Sequence, residues 1–342
     1  MKHHRLAFIG FGNVGQALAQ LLLTKQEELS SRYNLEFSVT GIYSKRHGSA
    51  INIQGLDLAK AIQLGKSNTN LDSLSAIGRL DNAEDFIRSC GAEVLFENSP
   101  VNYETGRPAL DYIRQALELG MHAITANKGP VVHGYRQLTQ LAEAHNRKFY
   151  FESAVMDGAP IFSLFRSALP GAKLLGFKGI LNSTTNLILT RMESGETFEQ
   201  ALSYAQSIGI AETDPSGDVD GWDAAVKVAA LTTVLMDIPL KPAEVARQGI
   251  RNISTSDIQE AKAAEERWKL VCSCKREGDT VKASVAPQRV PASSPLYNVQ
   301  GTSSVVSFEM DVLNNLTIVE NDPSPNTTAY GLLADFINAT RD

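Results

Sequence analysis

Leu6-Ala7-Phe8-Ile9-Gly10-Phe11-Gly12-Asn13-Val14-Gly15 is the stretch on which the fold turns. Its apolar start suits a strand covered on both faces, and it runs directly into glycines spaced Gly10-x-Gly12-x-x-Gly15. Val14, Leu18, Leu21 and Leu22 then recur at helical spacing. A strand, a glycine turn and a helix in that order form a dinucleotide-binding fingerprint. Gly10 permits the tight turn, Gly12 lets main chain approach a pyrophosphate, and Gly15 lets the helix lie close on the strand. The helix start, through Phe11, Asn13 and Val14, offers unpaired N–H groups to an anion.

Working outward, residues 35–43 supply the aromatic and β-branched bulk of a second strand. Its end decides which dinucleotide is read. An acid there would accept from a ribose 2′-hydroxyl, whereas this chain has Ser44-Lys45-Arg46, a hydroxyl and two cations that favour the 2′-phosphate of NADP over NAD. Strands are expected at 93–97, 121–125 and 148–151, and helices at 105–119 and 135–145. That alternation predicts an α/β, doubly wound (Rossmann) domain with a parallel sheet over residues 1–150.

Past residue 152 the rhythm changes. Helices are expected at 159–168, 185–193, 197–208 and 222–235, and strands at 173–181, 268–273, 281–285, 304–310 and 316–319. This predicts a second α+β domain over 151–321, with a last helix at 328–337, within about 322–342, packing back onto the first domain.

Composition bounds the partners. The 342 residues are 43% hydrophobic, with 38 acidic against 32 basic side chains and a net charge of −6. An acidic balance without blocks of like charge argues against nucleic acid or an anionic membrane and for a small-molecule ligand. Three cysteines, Cys90, Cys272 and Cys274, and an opening that lacks a signal-peptide pattern predict a cytoplasmic protein.

The most unusual segment runs from Gly209 to Lys227. Glu212, Asp214, Asp218, Asp220 and Asp223 crowd into a Pro- and Gly-punctuated loop that feeds an Ala- and Val-rich helix. Asp223 and Lys227, four residues apart, share one face of that helix, and its other sides are apolar enough to be buried. A buried lysine held by carboxylates can pass a proton to a carbonyl oxygen as hydride reaches the carbon.

Several of these motifs together resemble the homoserine dehydrogenase family. Gly10 through Gly15 is similar to its nucleotide turn. Asn102-Tyr103-Glu104-Thr105-Gly106, Pro108-Ala109-Leu110 and Thr125-Ala126-Asn127-Lys128-Gly129-Pro130 resemble its middle segment. Asn182-Ser183-Thr184-Thr185-Asn186 is similar to its Asn-Gly-Thr-Thr-Asn, and Glu212 through Lys227 resembles its acidic catalytic stretch. The resemblance spans most of the chain in the right order.

It implies reversible reduction of L-aspartate 4-semialdehyde to L-homoserine, a step of the aspartate pathway toward threonine and methionine. Lys227 would be the acid/base, Asp223 its orienting carboxylate and Lys128 a second active-site lysine near the nicotinamide. Glu212, Asp218 and Thr184 would hold the amino-acid substrate. Ser99-Pro100 stands in the place of a Thr-Pro pair beside the nicotinamide. Glu152, Val155, Asp157 and Ala159 fall where the family holds a sodium or other monovalent cation. The resemblance also implies a homodimer and a monofunctional enzyme without a C-terminal regulatory domain.

Three departures stand out. Met156-Asp157 replaces small glycines, Ser183 replaces the glycine of Asn-Gly-Thr-Thr-Asn, and Asp322-Pro323-Ser324-Pro325 replaces a Gly-Ala-Gly turn. They leave room for a same-fold NADP-dependent reductase of a different amino-acid semialdehyde. A non-catalytic nucleotide-binding sensor is a further alternative, but sensing needs none of Glu212, Asp218, Asp223 and Lys227.

Overall fold

In the computed structural model, which describes residues 2–341, the chain divides into two units. One runs through Pro160 and resumes at Ser324; the other is Ile161–Pro323. The first unit contains β1 (Lys2–Ile9), α1 (Asn13–Tyr33), β2 (Leu35–Ser44), β3 (Gly48–Ile51), α2 (Leu58–Lys66), α3 (Ala83–Ser89), β4 (Val94–Glu97), α4 (Ala109–Glu118), β5 (His122–Thr125), α5 (Lys128–Ala144) and β6 (Phe149–Tyr150). Its sheet runs β3-β2-β1-β4-β5-β6.

The continuous apolar run of β1 follows from burial on both faces. Leu6 and Phe8 join one core cluster, with Leu18, Leu22 and Leu29 of α1, while Ala7 and Ile9 join another, with Phe86 and Leu95. Asn34 ends α1 in the left-handed conformation, φ 58°, and donates its N–H to Ser30. The chain leaves β1 for β2 on one side, and β4 pairs on the other. The carboxyl ends of β1 and β4 therefore flank the point at which such sheets take their ligands.

Two elements of this unit differ from the sequence expectation. β3 runs antiparallel to β2 at the edge of an otherwise parallel sheet, because the chain turns back through Lys45-Arg46-His47 into Gly48 at φ 75°. Helix α5 begins at Lys128 rather than near 135. Gly129-Pro130 reads as a turn, yet a proline in the first turn of a helix forfeits only an N–H that would be unpaired there.

The second unit contains α6 (Ile161–Ser163), β7 (Leu174–Ile180), α7 (Ser183–Glu193), α8 (Phe198–Ser207), α9 (Ser216–Val219), α10 (Trp222–Leu235), β8 (Ala246–Arg247), α11 (Thr255–Ala263), β9 (Glu266–Glu277), β10 (Thr280–Pro291), β11 (Ser304–Met310) and β12 (Asn314–Glu320). Its sheet order is β12-β11-β7-β9-β10-β8, antiparallel except where β10 meets β8. The helix expected over 159–168 is instead the short α6 followed by a π-helical turn, Leu164–Ala168. Ten of the fourteen residues of α10 are buried, as its Ala- and Val-rich composition requires. No helix among the described residues is long and apolar enough to cross a membrane.

The last helix, α12 (Pro325–Thr340), belongs to the first unit. Ser324 caps it in a capping box with Thr327, and Pro325 takes the first helical position, where its missing N–H costs nothing. Phe336 is fully buried and meets His4 and Phe96 edge-on, with ring centroids 6.0 and 6.1 Å apart. Phe336→Ala is expected to destabilise this unit by about 3–5 kcal/mol through the cavity it leaves. Urea denaturation of wild type and variant measures it; a loss under about 1 kcal/mol would show that the helix is not anchored there.

Candidate active site

In the first unit the glycine turn is shaped by close main-chain approach. Gly10 sits at φ 88°, and a Cβ there would strike the main-chain carbonyl of Asn98, just past β4. A Cβ on Gly15 would lie 2.5 Å from the Gly10 carbonyl oxygen. Gly12 differs, because a Cβ there meets nothing within 4 Å. It opens on empty space at the start of α1, the room a pyrophosphate needs. Beside it, both polar atoms of the Asn98 side-chain amide are buried without a hydrogen-bond partner. An unmet donor and acceptor at the switch point of the sheet fit a polar ligand. Gly12→Ala is therefore expected to keep the fold while weakening NADPH binding at least about tenfold, about 1.4 kcal/mol. Circular dichroism with fluorescence titration measures both, and wild-type affinity in the folded variant would contradict the site.

At the end of β2, Ser44 is buried and its hydroxyl oxygen accepts from the N–H groups of Arg46 and His47, both at 3.3 Å. Lys45 and Arg46 stand exposed on that turn, and among the described residues neither makes an ion pair. They are available to a phosphate.

Beyond β4, Glu97 is fully buried. It accepts from the Ser99 N–H at 2.8 Å, from the Ser99 hydroxyl, and from the Thr125 hydroxyl at 2.9 Å. Asn127 caps α5 through Gly129 N–H at 2.9 Å and donates its amide to the Ser99 carbonyl at 3.1 Å. Lys128 follows as the first residue of α5, half-buried. Burial, partly offset by these hydrogen bonds, pushes the Glu97 carboxyl from its ordinary 4.5 up to about 7. A raised folded-state value stabilises the fold most below pH 4.5, and that stability is lost as pH rises through about 7. The melting temperature of wild type relative to Glu97→Gln should therefore fall between pH 5 and 8; a constant difference would refute the shift.

The remaining first-unit residues lie around the turn after β6. Glu152 is buried and its N–H donates to Asp335 Oδ2 at 2.7 Å. Val155 and Ala159 are buried as well. Asp157 holds φ 37°, a conformation glycine adopts freely, and its carboxylate accepts from the Thr327 hydroxyl at 3.1 Å.

In the second unit, β7 leads through Leu181-Asn182 into α7. The Asn182 side-chain oxygen caps that helix, accepting from Thr185 N–H at 2.8 Å, while its amide nitrogen donates to Asp218 at 2.6 Å and Asp223 at 3.1 Å. Lys227 Nζ lies 3.4 Å from Asp223 Oδ2 and donates to the Leu181 carbonyl at 2.6 Å. The Asp223 and Lys227 side chains are only 10% and 14% exposed. Burial first, and then the neighbouring Asp223, raises the Asp218 carboxyl above its ordinary range, with the Asn182 bond acting against them.

Asp218, Asp223 and Lys227, chosen from sequence, thus meet around one residue that was not. Asn182 was readable only as part of a motif; its capping role was the signal. Glu97 was also missed, although a carboxylate closing a continuous apolar strand marks a buried charge. Thr184 is buried and its hydroxyl donates to the Ile210 carbonyl at 3.2 Å. Glu212 is exposed on the loop before α9, outside the Asn182 hydrogen-bond cluster, with its carbonyl accepting from Gln206. Ser183 begins α7 without a positive φ, so the loss of glycine there brings no strain. The cysteines are free and buried, and burial pushes the Cys272 thiol up to about 12.

A dinucleotide turn in one unit and an acid-flanked lysine in the other define an NAD(P)-dependent oxidoreductase acting on a CH–OH group. The homoserine dehydrogenase NAD-binding-domain model matches residues 10–152, and the homoserine dehydrogenase model matches residues 160–337. The chain belongs to the homoserine dehydrogenase family. It is 36% identical to an NAD(+)-dependent homoserine dehydrogenase of Pseudomonas canavaninivorans over 99% of this chain and 96% of that one. It is likewise 36% identical to a homoserine dehydrogenase of Methanocaldococcus jannaschii, covering 97% of each. Among solved structures, a hyperthermophilic archaeal homoserine dehydrogenase in complex with NADPH superposes with a TM-score of 0.84 at 27% identity, covering 99% of this chain and 98% of that one.

Proposed function

We propose that this chain interconverts L-homoserine and L-aspartate 4-semialdehyde, with Lys227 as acid/base and NADP as the preferred dinucleotide. The observation that carries the reading is the placement of Lys227. Its ammonium has three donors, of which one is used on the Leu181 carbonyl and another faces Asp223, leaving one for a substrate oxygen. In oxidation, neutral Lys227 takes the hydroxyl proton; in reduction, its ammonium returns a proton to the aldehyde oxygen. Bound dinucleotide accepts or supplies the hydride. Asp223 holds the charge that forms on Lys227, and Asp218 and Glu212 receive the substrate ammonium. Thr184 lies at the start of α7 beside them.

The division of labour follows the two units, with cofactor on the first and amino acid, catalysis and self-association on the second. Gly10 to Gly15 and Asn98 would hold the pyrophosphate end, Lys45 and Arg46 the 2′-phosphate, and Ser99, Pro100 and Lys128 the nicotinamide end. Family membership alone supports a monovalent cation held by Glu152 and the main chain of Val155, Asp157 and Ala159. Homodimer formation through the second sheet and a cytoplasmic setting complete the reading, the first carried over from the family and the second supported by the three free, buried cysteines.

Reduced-nicotinamide formation from L-homoserine, run with NADP and NAD in parallel, tests this. Turnover should favour NADP, Lys227→Ala should lose at least about a hundredfold in kcat, and Arg46→Ala should shift the ratio of the two cofactors toward NAD. Turnover of another amino alcohol but not of homoserine would contradict the substrate, and an unchanged cofactor ratio would contradict the NADP preference.

A further inference from the structure

Glu97 takes no part in the reaction just described, yet a carboxylate is fully buried there. Burying one is costly unless it is fully hydrogen-bonded, and an apolar side chain of the same size would cost less. What Glu97 holds is a closed ring of four residues. Its Oε1 receives the N–H and hydroxyl of Ser99, and its Oε2 receives the Thr125 hydroxyl. The Thr125 oxygen accepts the Asn127 N–H at 2.9 Å, and the Asn127 amide returns to the Ser99 carbonyl at 3.1 Å. The ring ties the segment after β4 to the start of α5.

We propose that Glu97 is a positioning residue that fixes the Ser99-Pro100 turn and the Asn127-Lys128 helix start in the arrangement that receives the nicotinamide end of the dinucleotide. This rests on the reading of Ser99, Pro100 and Lys128 as cofactor residues. An ionised Glu97 accepts from all three donors, whereas a protonated one must aim its own O–H at an acceptor and gives up part of the ring. The titration near 7 places that change in the working range. The groups facing it are few. From α4 comes the Tyr112 phenol, itself pushed up by burial and by nearby negative charge. From β5 and the start of α5 come the uncharged Thr125 and Asn127, and β1 pairs Ile9 beside it. The cost of burying this charge thus falls on stability, and its return is an ordered cofactor site.

The test compares NADPH affinity with kcat and KM for homoserine in wild type, Glu97→Ala, Glu97→Gln, Thr125→Val and Ser99→Ala, at pH 6 and 8. Glu97→Ala and Thr125→Val should each weaken NADPH about tenfold while KM for homoserine moves less than about twofold, since an ordinary hydrogen-bond loss is of that size. Glu97→Gln, which keeps an acceptor for Ser99, should stay within about threefold of wild type at pH 8. It should also lack the loss of affinity that wild type shows, relative to it, on going to pH 6. Wild-type affinity in folded Glu97→Ala and Thr125→Val would overturn the role of Glu97; should the alanine variant not fold, Thr125→Val decides. Wild-type affinity and turnover in Ser99→Ala would instead overturn the cofactor assignment on which the proposal rests.

Discussion

Two carboxylates and an ammonium crowd into one largely dry corner of the second unit, and the side-chain amide of Asn182 is what lets them coexist there. Its nitrogen is shared between Asp218 and Asp223, while its oxygen is committed to the N-terminus of α7, so the amide cannot turn over without losing the helix cap. Burial, and after it the negative charge of Asp223, raises the Asp218 carboxyl above its ordinary range. A shared donor lowers that cost and leaves Asp223 free to face Lys227. The backbone start of α7, the short helix α9 at Asp218 and the first turn of α10 are thereby registered to one another.

The first unit reaches its geometry by steric constraint instead. Gly10 and Gly15 are positions where any side chain would collide with main chain, and Gly12 is the one where a side chain would enter vacant space. Within the turn, that contrast separates the two glycines that close packing requires from the one that packing does not explain. The orphaned Asn98 amide lies along the same edge of the sheet as Lys45 and Arg46, which make no ion pair among the described residues.

Much of this was legible in the residues. The run from Leu6 to Gly15 specified the strand, turn and helix because each position serves one physical need. The Ala- and Val-rich helix after Gly221 was placed at its true limits, 222–235, because nearly every side is buried. What stayed hidden depends on tertiary contact. β3 exists because the chain turns back at Gly48, and the start of α5 is masked by a Gly-Pro pair that looks like a turn. Glu97 and Asn182 show in the sequence only as an acid closing an apolar strand and a helix-cap candidate; their importance lies in partners that are 28 to 41 residues away. The departures at Ser183 and Pro325 cost the fold nothing, since both begin helices, whereas Asp157 holds a positive φ that glycine would adopt more readily.

In the proposed reaction, the Asn182-centred cluster would run the proton chemistry while the first unit separately binds the dinucleotide. Asn182→Asp tests it most directly, because it preserves the helix cap and the volume but replaces the shared donor with a third carboxylate. Turnover of L-homoserine should fall about a hundredfold, the scale of general acid–base catalysis, with NADPH affinity unchanged. Turnover that survives the substitution, or a loss of NADPH affinity equal to the loss of turnover, would contradict the account.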